Sequence, residues 1–422
     1  MRTMKDSGIE WIGVMPKSWV LAPLKAMLIE IKEQNDPIQT TQVLSLTNQA
    51  KIFPYEERGN QGNKSKEKYE DYKIAYPNTI VLNSMNVLIG SVGICNYFGC
   101  VSPVYYVFNN SNNAILRYIN YIFQNVGFQK ELRKYANGIM EIRLRVSVYD
   151  ILHRLVPAPS LKEQQRIADF LDSKCVDIDN ILEKTKASIE EYKKLKQSVI
   201  TEAVTKGVRG TRPMKDSGIE WIGLYPADWT LTKIKWLLNE RNERSEDGSE
   251  EPLSMSQKYG LIPTKEMDTI PNMASSFVGA KITHVGDLVF NKLKAHLGVF
   301  AVSKYEGLVS PDYAVYYKTA RADMRYLEHL FKTPQYILEF RKRSSGVGAG
   351  LTRLYTSDLF AMYSASPSLE EQQEIAAYLD KKCSEIDSLI SSKEKFITEL
   401  ESYKKSLIYE YVTGKKEVPA EA

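Results

Sequence analysis

Apolar residues along 160–206 return at alternating steps of four and three, through Leu171, Cys175, Ile178, Leu182, Ile189 and Val199. Neither proline nor glycine interrupts that stretch. Adding 208 to each number gives a second seam, Leu379, Cys383, Ile386, Ile390, Ile397 and Leu407, in the equally uninterrupted stretch 368–413. A heptad seam held this long predicts two helices of roughly 70 Å that pack antiparallel on each other. Lys196 and Lys404 interrupt the seam at matching places. Ser160 with Glu163 and Ser368 with Glu371 read as capping boxes that start the helices.

The common offset extends through the chain. The decapeptide MKDSGIEWIG occurs at 4–13 and again at 214–223, followed by Pro16/Trp19 and Pro226/Trp229 at an offset of 210. From about Asn78 onward the offset is 208: Asn83 meets Asn291, Gly99 meets Gly307, VSP at 101–103 meets VSP at 309–311, and Arg145 meets Arg353. The blocks 160–179 and 368–387 agree at 13 of 20 positions. Such self-similarity marks a tandem duplication. The decapeptide carries Ser-x-x-Glu at Ser7/Glu10 and Ser217/Glu220, which predicts a capped helical turn ending at a glycine. Placed after the first long helix, it predicts that the chain start sits at the end of the second, near Gly414, in a cyclic pseudo-twofold arrangement.

Between the helices the two interiors diverge. The segment 55–72 has no counterpart in 264–280. A shared frame around different interiors is the pattern of two readers of different things. The predicted organisation is α+β: 1–159, a joint and first mixed α/β lobe; 160–207, a helix; 208–367, linker, joint and second lobe; 368–414, the second helix; 415–422, a tail.

Composition narrows the function. With 56 basic and 52 acidic residues, the formal charge is +4, so contact with a polyanion has to come from local clusters. The absence of a long apolar run and of a signal-peptide layout reads as a cytoplasmic chain. Cys95, Cys100, Cys175 and Cys383 lack metal-binding spacing and read as reduced thiols. Phosphate-loop, zinc-protease and nucleophile-elbow motifs are missing. The GVGAG run at 346–350 follows a basic segment rather than an apolar strand and reads as a turn. SPDYAVYYK, at 310–318, faintly echoes a nuclease motif but lacks the acid before its lysine; it reads as a half-buried strand with alternating Tyr313, Val315 and Tyr317.

Basic residues recur at matched places. Lys130, Arg133, Lys134, Arg143 and Arg145 in the first half correspond in position or kind to Arg341, Lys342, Arg343 and Arg353 in the second. These suit phosphate contacts, while Lys64, Lys66 and Lys68, and Lys292, Lys294 and His296, lie in divergent segments suited to base edges. A solvated helix face is the plainer account of any one of them. A bivalent adaptor that reads no bases is also compatible with two lobes on a helical frame.

The P-x-x-W openings, the helix starts PAPSLKEQQRIADFLD and SPSLEEQQEIAAYLD, and the twofold lobe-helix plan resemble the specificity subunits of type I restriction-modification systems. The resemblance implies two target-recognition domains separated by a coiled-coil bar, each reading half of a split asymmetric DNA site, with no catalysis in this chain. It further implies two methyltransferase subunits that use S-adenosylmethionine to methylate adenine N6. Two restriction subunits that use ATP and Mg would join them. The resemblance names no cofactor or metal bound by this chain itself.

Overall fold

A computed structural model describes residues 2–47, 50–58, 68–138, 144–256, 259–269, 276–346 and 352–419. The chain forms two compact units: 1–186 together with 394–422, and 187–393. Each unit therefore takes part of both long helices.

The first unit contains helices α1 (Leu116–Gln124), α2 (Val126–Arg133), α3 (Val148–Leu152) and the first part of α4 (Leu161–Lys206). Its four-stranded antiparallel sheet runs in the order Leu28–Ile31, Tyr105–Asn110, Thr79–Asn83, Val92–Cys95. Apolar side chains on one face of that sheet, among them Ile80, Leu82 and Phe108, join Tyr118, Ile122 and Phe128 from α1 and α2 in the main core. The opposite face packs Val81 and Val107 on Leu44, Leu46 and Val101.

The second unit repeats this with α5 (Met324–Phe331), α6 (Pro334–Arg343), α7 (Thr356–Ala361) and the first part of α8 (Leu369–Val412). Its sheet order is Leu238–Arg241, Tyr313–Lys318, Leu288–Asn291, Phe300–Val302. The pairings match residue for residue: Asn83 opposes Tyr105, and Asn291 opposes Tyr313. The strand Tyr313–Lys318 departs from the expected alternation, because Ala314, Val315 and Tyr316 are all buried and Tyr317 is exposed. It is a central strand covered on both faces, by one core through Ala314 and Tyr316 and by another through Val315, so burial runs continuously.

The two long helices pack antiparallel within each unit. In the first, the Phe170 ring lies 4.5 Å from that of Tyr411, and Lys404 reaches Asp179 at 2.6 Å. In the second, Lys196 reaches Asp387 at 2.7 Å. The two seam-breaking lysines thus make the same exposed pair in each unit. Leu171, Cys175, Ile178, Leu182, Ile189, Leu379, Cys383, Ile386 and Leu407 are buried, whereas Val199, Ile390 and Ile397 are partly exposed. At the end of α4 the buried place passes from Val199 to Ile200. A straight helix drifts about 20° per heptad, so the four heptads from Leu171 shift the buried face by nearly one residue.

The capping boxes form only in half. Ser160 Oγ accepts the Glu163 N–H at 3.4 Å and Ser368 Oγ the Glu371 N–H at 3.3 Å. The carboxylates do not turn back to the serine. Glu163 accepts from Trp19 Nε1 at 2.9 Å and pairs with Arg2; Glu371 accepts from Trp229 Nε1 at 3.2 Å and pairs with Arg212. The next residue is equally committed. Gln164 accepts from the Ile115 N–H and donates to the Pro159 carbonyl, and Gln372 does the same with Asp323 and Pro367.

The repeated decapeptide opens a hairpin that contains the expected helical turn. The Ile12 and Gly13 N–H groups donate to the Ile9 carbonyl at 3.0 and 2.8 Å, and those of Ile222 and Gly223 to the Ile219 carbonyl at 3.0 and 2.9 Å. Each turn ends at a glycine of positive φ, while the Ser-Glu capping box does not form. Met4–Asp6 pairs with Val14–Pro16 and Met214–Asp216 with Leu224–Pro226. Ser7 and Ser217 accept from the N–H two residues on, at 3.1 Å, while Gly8 and Gly218 take positive φ and turn the chain. Met4–Pro16 lies against the end of α8, where Lys415 Nζ donates to the Ile12 carbonyl at 2.6 Å. Gly414 has φ +74°, and a Cβ there would run into Pro16 and Trp19.

The burial of these pairs differs, and so should their worth. The Glu371 side chain is 3% exposed and that of Arg212 12%, whereas Lys404 and Asp179 are 28% and 55% exposed. Glu371→Ala removes the acceptor of the Trp229 indole N–H and leaves Arg212 only the exposed Asp228 at 3.1 Å, and is expected to destabilise the second unit by about 3 kcal/mol in urea unfolding. Lys404→Ala should cost less than about 1 kcal/mol.

Candidate nucleic-acid interface

One end of each four-stranded sheet gathers charge. In the second unit Lys292 follows directly on Leu288–Asn291, and Asp312 directly precedes Tyr313–Lys318. The segment after α6 returns as Ser345–Gly346 paired with Thr352–Arg353, and the Leu354 N–H donates to the Lys292 carbonyl at 3.0 Å. That bond brings Arg353 to the sheet end, where Nη2 meets Asp312 Oδ1 at 3.0 Å. Beneath lies Lys281, its side chain 4% exposed, 3.4 Å from Glu240.

The first unit has the same frame with different side chains. Asn137 and Arg145 exchange backbone hydrogen bonds, and the Val146 N–H donates to the Ser84 carbonyl at 3.1 Å. Here Ser84 stands where the second unit has Lys292, and Val104 where it has Asp312. Lys73, the counterpart of Lys281, donates to the Tyr105 carbonyl at 2.7 Å and lies 4.9 Å from the Tyr106 ring centre. Burial holds its ammonium below the ordinary lysine range, with Glu30 pulling the other way. Arg145 is exposed.

The remaining predicted contacts are spread out. Lys130 and Arg133 are exposed in the last turn of α2, and Lys134 is tied to Glu10 and Glu131 at 2.8 Å. Arg341 is exposed on α6, while Lys342 and Arg343 both turn to Glu339, at 2.8 and 3.4 Å. These four ion pairs, made by three cations, hold the basic groups to neighbouring carboxylates. Lys68 is exposed before the single-turn helix Tyr69–Asp71. Lys64, Lys66 and Arg143 lie outside the described residues, as does 347–350 of the glycine-rich run.

Lys294 borders a cleft of about 680 Å³ in the second unit, together with Asn291, Ser310, Tyr313, Met255 and Phe277. Asn291 Nδ2 donates to Tyr313 Oη at 3.4 Å across it. His296 is half-buried on the turn Ala295–Leu297, packed beside α6, and its Nδ1 has no hydrogen-bond partner.

Sequence reading passed over Lys73/Lys281 and Glu30/Glu240, and noted Asp312 only within the faint nuclease echo, where Val104 replaces it in the other copy. The first two pairs recur at the repeat offsets of 208 and 210, a charged identity inside strand segments that could have singled them out. Asp312 carries the opposite signal, since only one copy has it.

Among the described residues no three His, Cys, Asp or Glu side chains are grouped to hold a metal, and no helix is long and apolar enough to cross a membrane.

Residues 28–191 match the type I restriction modification DNA specificity domain. The chain is 25% identical over 317 residues to the type I restriction enzyme MjaX specificity subunit of Methanocaldococcus jannaschii, covering 72% of this chain and 69% of that one. It is 25% identical over 276 residues to the MjaVIII specificity subunit of the same organism, covering 62% and 61%. A chain from a solved type I R-M system superposes with a TM-score of 0.70 at 13% identity, covering 95% of this chain and 99% of that chain. The HsdS subunit of Thermoanaerobacter tengcongensis gives 0.55 at 12%, covering 97% and 100%.

The cysteines offer a check on the packing around the sheets. Cys95, Cys100, Cys175 and Cys383 are all buried and unpaired, and burial pushes the Cys100 thiol up to about 11. In the native protein Cys100 should resist iodoacetamide at pH 8 and react promptly in denaturant, as mass spectrometry of timed samples would record.

Proposed function

We propose that the chain is a specificity subunit of a type I restriction-modification system and that its two units each read one half of a split DNA site. Recognising DNA sequence is the task of this non-catalytic subunit, and its partners are DNA and the modification and restriction subunits of the same complex. The observation that carries the division of labour is the sheet end. Both units hold the same backbone bond, from Val146 to Ser84 and from Leu354 to Lys292, but display different functional groups around it. A fixed frame sets register on the duplex, and changed side chains alter what is read.

On this reading Arg145 and Arg353 contact phosphates, while Lys294 and the residues around its cleft face base edges. Two modification subunits would methylate adenine N6 with S-adenosylmethionine, and two restriction subunits would consume ATP with Mg. None of that chemistry resides on this chain. Its own residues bind the duplex, fix the register and hold each partner over its half-site.

Co-expression with the modification subunit of its own system, followed by mapping of modified adenines, tests the reading. A single split motif is expected, lost when this chain is omitted. A stable complex without any motif would instead indicate the adaptor. Separately, Arg145→Ala and Arg353→Ala should each weaken duplex binding without lowering helix content by circular dichroism. Unchanged affinity in both would remove these arginines from the interface.

A further inference from the structure

The second unit holds an unbalanced charge at its sheet end. Three cations, Lys281, Lys292 and Arg353, meet two carboxylates, Glu240 and Asp312. Lys281 pairs with Glu240 and Arg353 with Asp312. Lys292 is half-buried and has no ion pair with any described residue. Burial lowers its pKa, and the neighbouring Lys281 and Arg353 lower it further, against a smaller pull from Glu240 and Asp312. The Arg353 Nε is buried without an acceptor. A partly desolvated surplus of one positive charge, with an unfilled N–H donor beside it, calls for an oxyanion.

Asp312 is placed to be temporary. Its side chain is 59% exposed and meets Arg353 through a single contact. The first unit keeps Lys73, Glu30 and Arg145 at the matching places but has Ser84 and Val104 in place of Lys292 and Asp312 on the same backbone frame.

We propose that Lys292 and Arg353, with the buried Lys281 beneath them, form a seat for one DNA phosphodiester in the second unit only, with Asp312 as the internal counter-ion that the phosphate displaces. This rests on the DNA-recognition reading. Once Asp312 swings off Arg353 the site stands two positive charges in excess; a phosphodiester, a monoanion, offsets one of them, and its two free oxygens accept from an ammonium and a guanidinium together. Asp312 occupies the arginine in the free protein and so weakens binding to DNA of any sequence. The seat fixes register and leaves base preference unchanged, because every nucleotide offers the same phosphate.

The counterpart residues of the first unit supply the variants. Duplex binding by the full chain would be followed by fluorescence anisotropy from 50 to 200 mM KCl, on a duplex carrying the mapped site and on a scrambled one. Lys292→Ser should reduce the salt slope by about 0.9, so that the loss of affinity over that range is about threefold smaller than in the parent. Asp312→Val should tighten binding to both duplexes alike. Lys292→Met, which keeps the aliphatic stem, serves as a second variant if the serine change unfolds the unit.

A folded Lys292 variant with the parental slope would overturn the seat. So would weaker binding by Asp312→Val, since it would make the carboxylate a support for Arg353 rather than a competitor of phosphate. Failure of the parent itself to bind the mapped duplex would sink the DNA reading and is distinct from either result.

Discussion

A single carboxylate near the start of each long helix is claimed from two directions, and the joint of each unit is built on that claim. Glu163 receives the indole N–H of Trp19 and the guanidinium of Arg2, and Glu371 those of Trp229 and Arg212. The tryptophan comes from the segment that follows the hairpin, the arginine from the residues just before it, and the acid from the helix. Glu371 is buried and Glu163 half-buried, so desolvation offsets much of the attraction, most of all at Glu371; the force of each pair is to exclude alternative registers. The neighbouring glutamine then spends its side chain on loop backbone, so lobe and helix meet in one way only. Tyr118 and Tyr326 complete the joint, each hydroxyl reaching the carbonyl of the strand before one long helix and a carbonyl at the end of the other.

This accounts for where the two copies stayed alike and where they parted. Residues with several simultaneous partners, such as Trp19, Glu163 and Gln164, have no freedom to change singly. At the sheet end the frame is held by backbone hydrogen bonds, which tolerate almost any side chain. Ser84 can stand opposite Lys292, and Val104 opposite Asp312, without disturbing the pairing of Asn83 with Tyr105 or Asn291 with Tyr313. Variation is therefore cheapest where a ligand is met.

The repeat, the long helices and their seams were legible because each depends on spacing, and spacing is written in the chain. The pairing of Lys404 with Asp179 and of Lys196 with Asp387 was only hinted at, as a shared interruption. What misled were local patterns with two solutions. Ser-x-x-Glu fits a capping box, but a tryptophan and an arginine distant in sequence outbid the serine for the Glu163 carboxylate. The same letters around Ser7 fit a turn once Gly8 adopts positive φ. Burial was the least legible property of the candidate site: Lys73 and Lys281 drew no notice in the sequence, and only the packed sheet makes the first half-buried and the second buried. Lys134 and Lys342 read as free cations, and the fold gives each a carboxylate partner, Glu10 and Glu131 for the first and Glu339 for the second.

The composition of the two units has a consequence for biosynthesis. The second unit is one unbroken stretch, 187–393, whereas the first is finished only by 394–422. A nascent chain emerges amino end first, and domains fold as units when all their parts are available. The lobe translated first therefore waits, its Tyr118 hydroxyl without the Val412 carbonyl and its Phe170 ring without Tyr411, until the last helix has been made. The lobe translated second has everything it needs earlier. Order of synthesis and order of completion are reversed, and a ribosome that stalls late leaves a molecule with one finished reader and one open core.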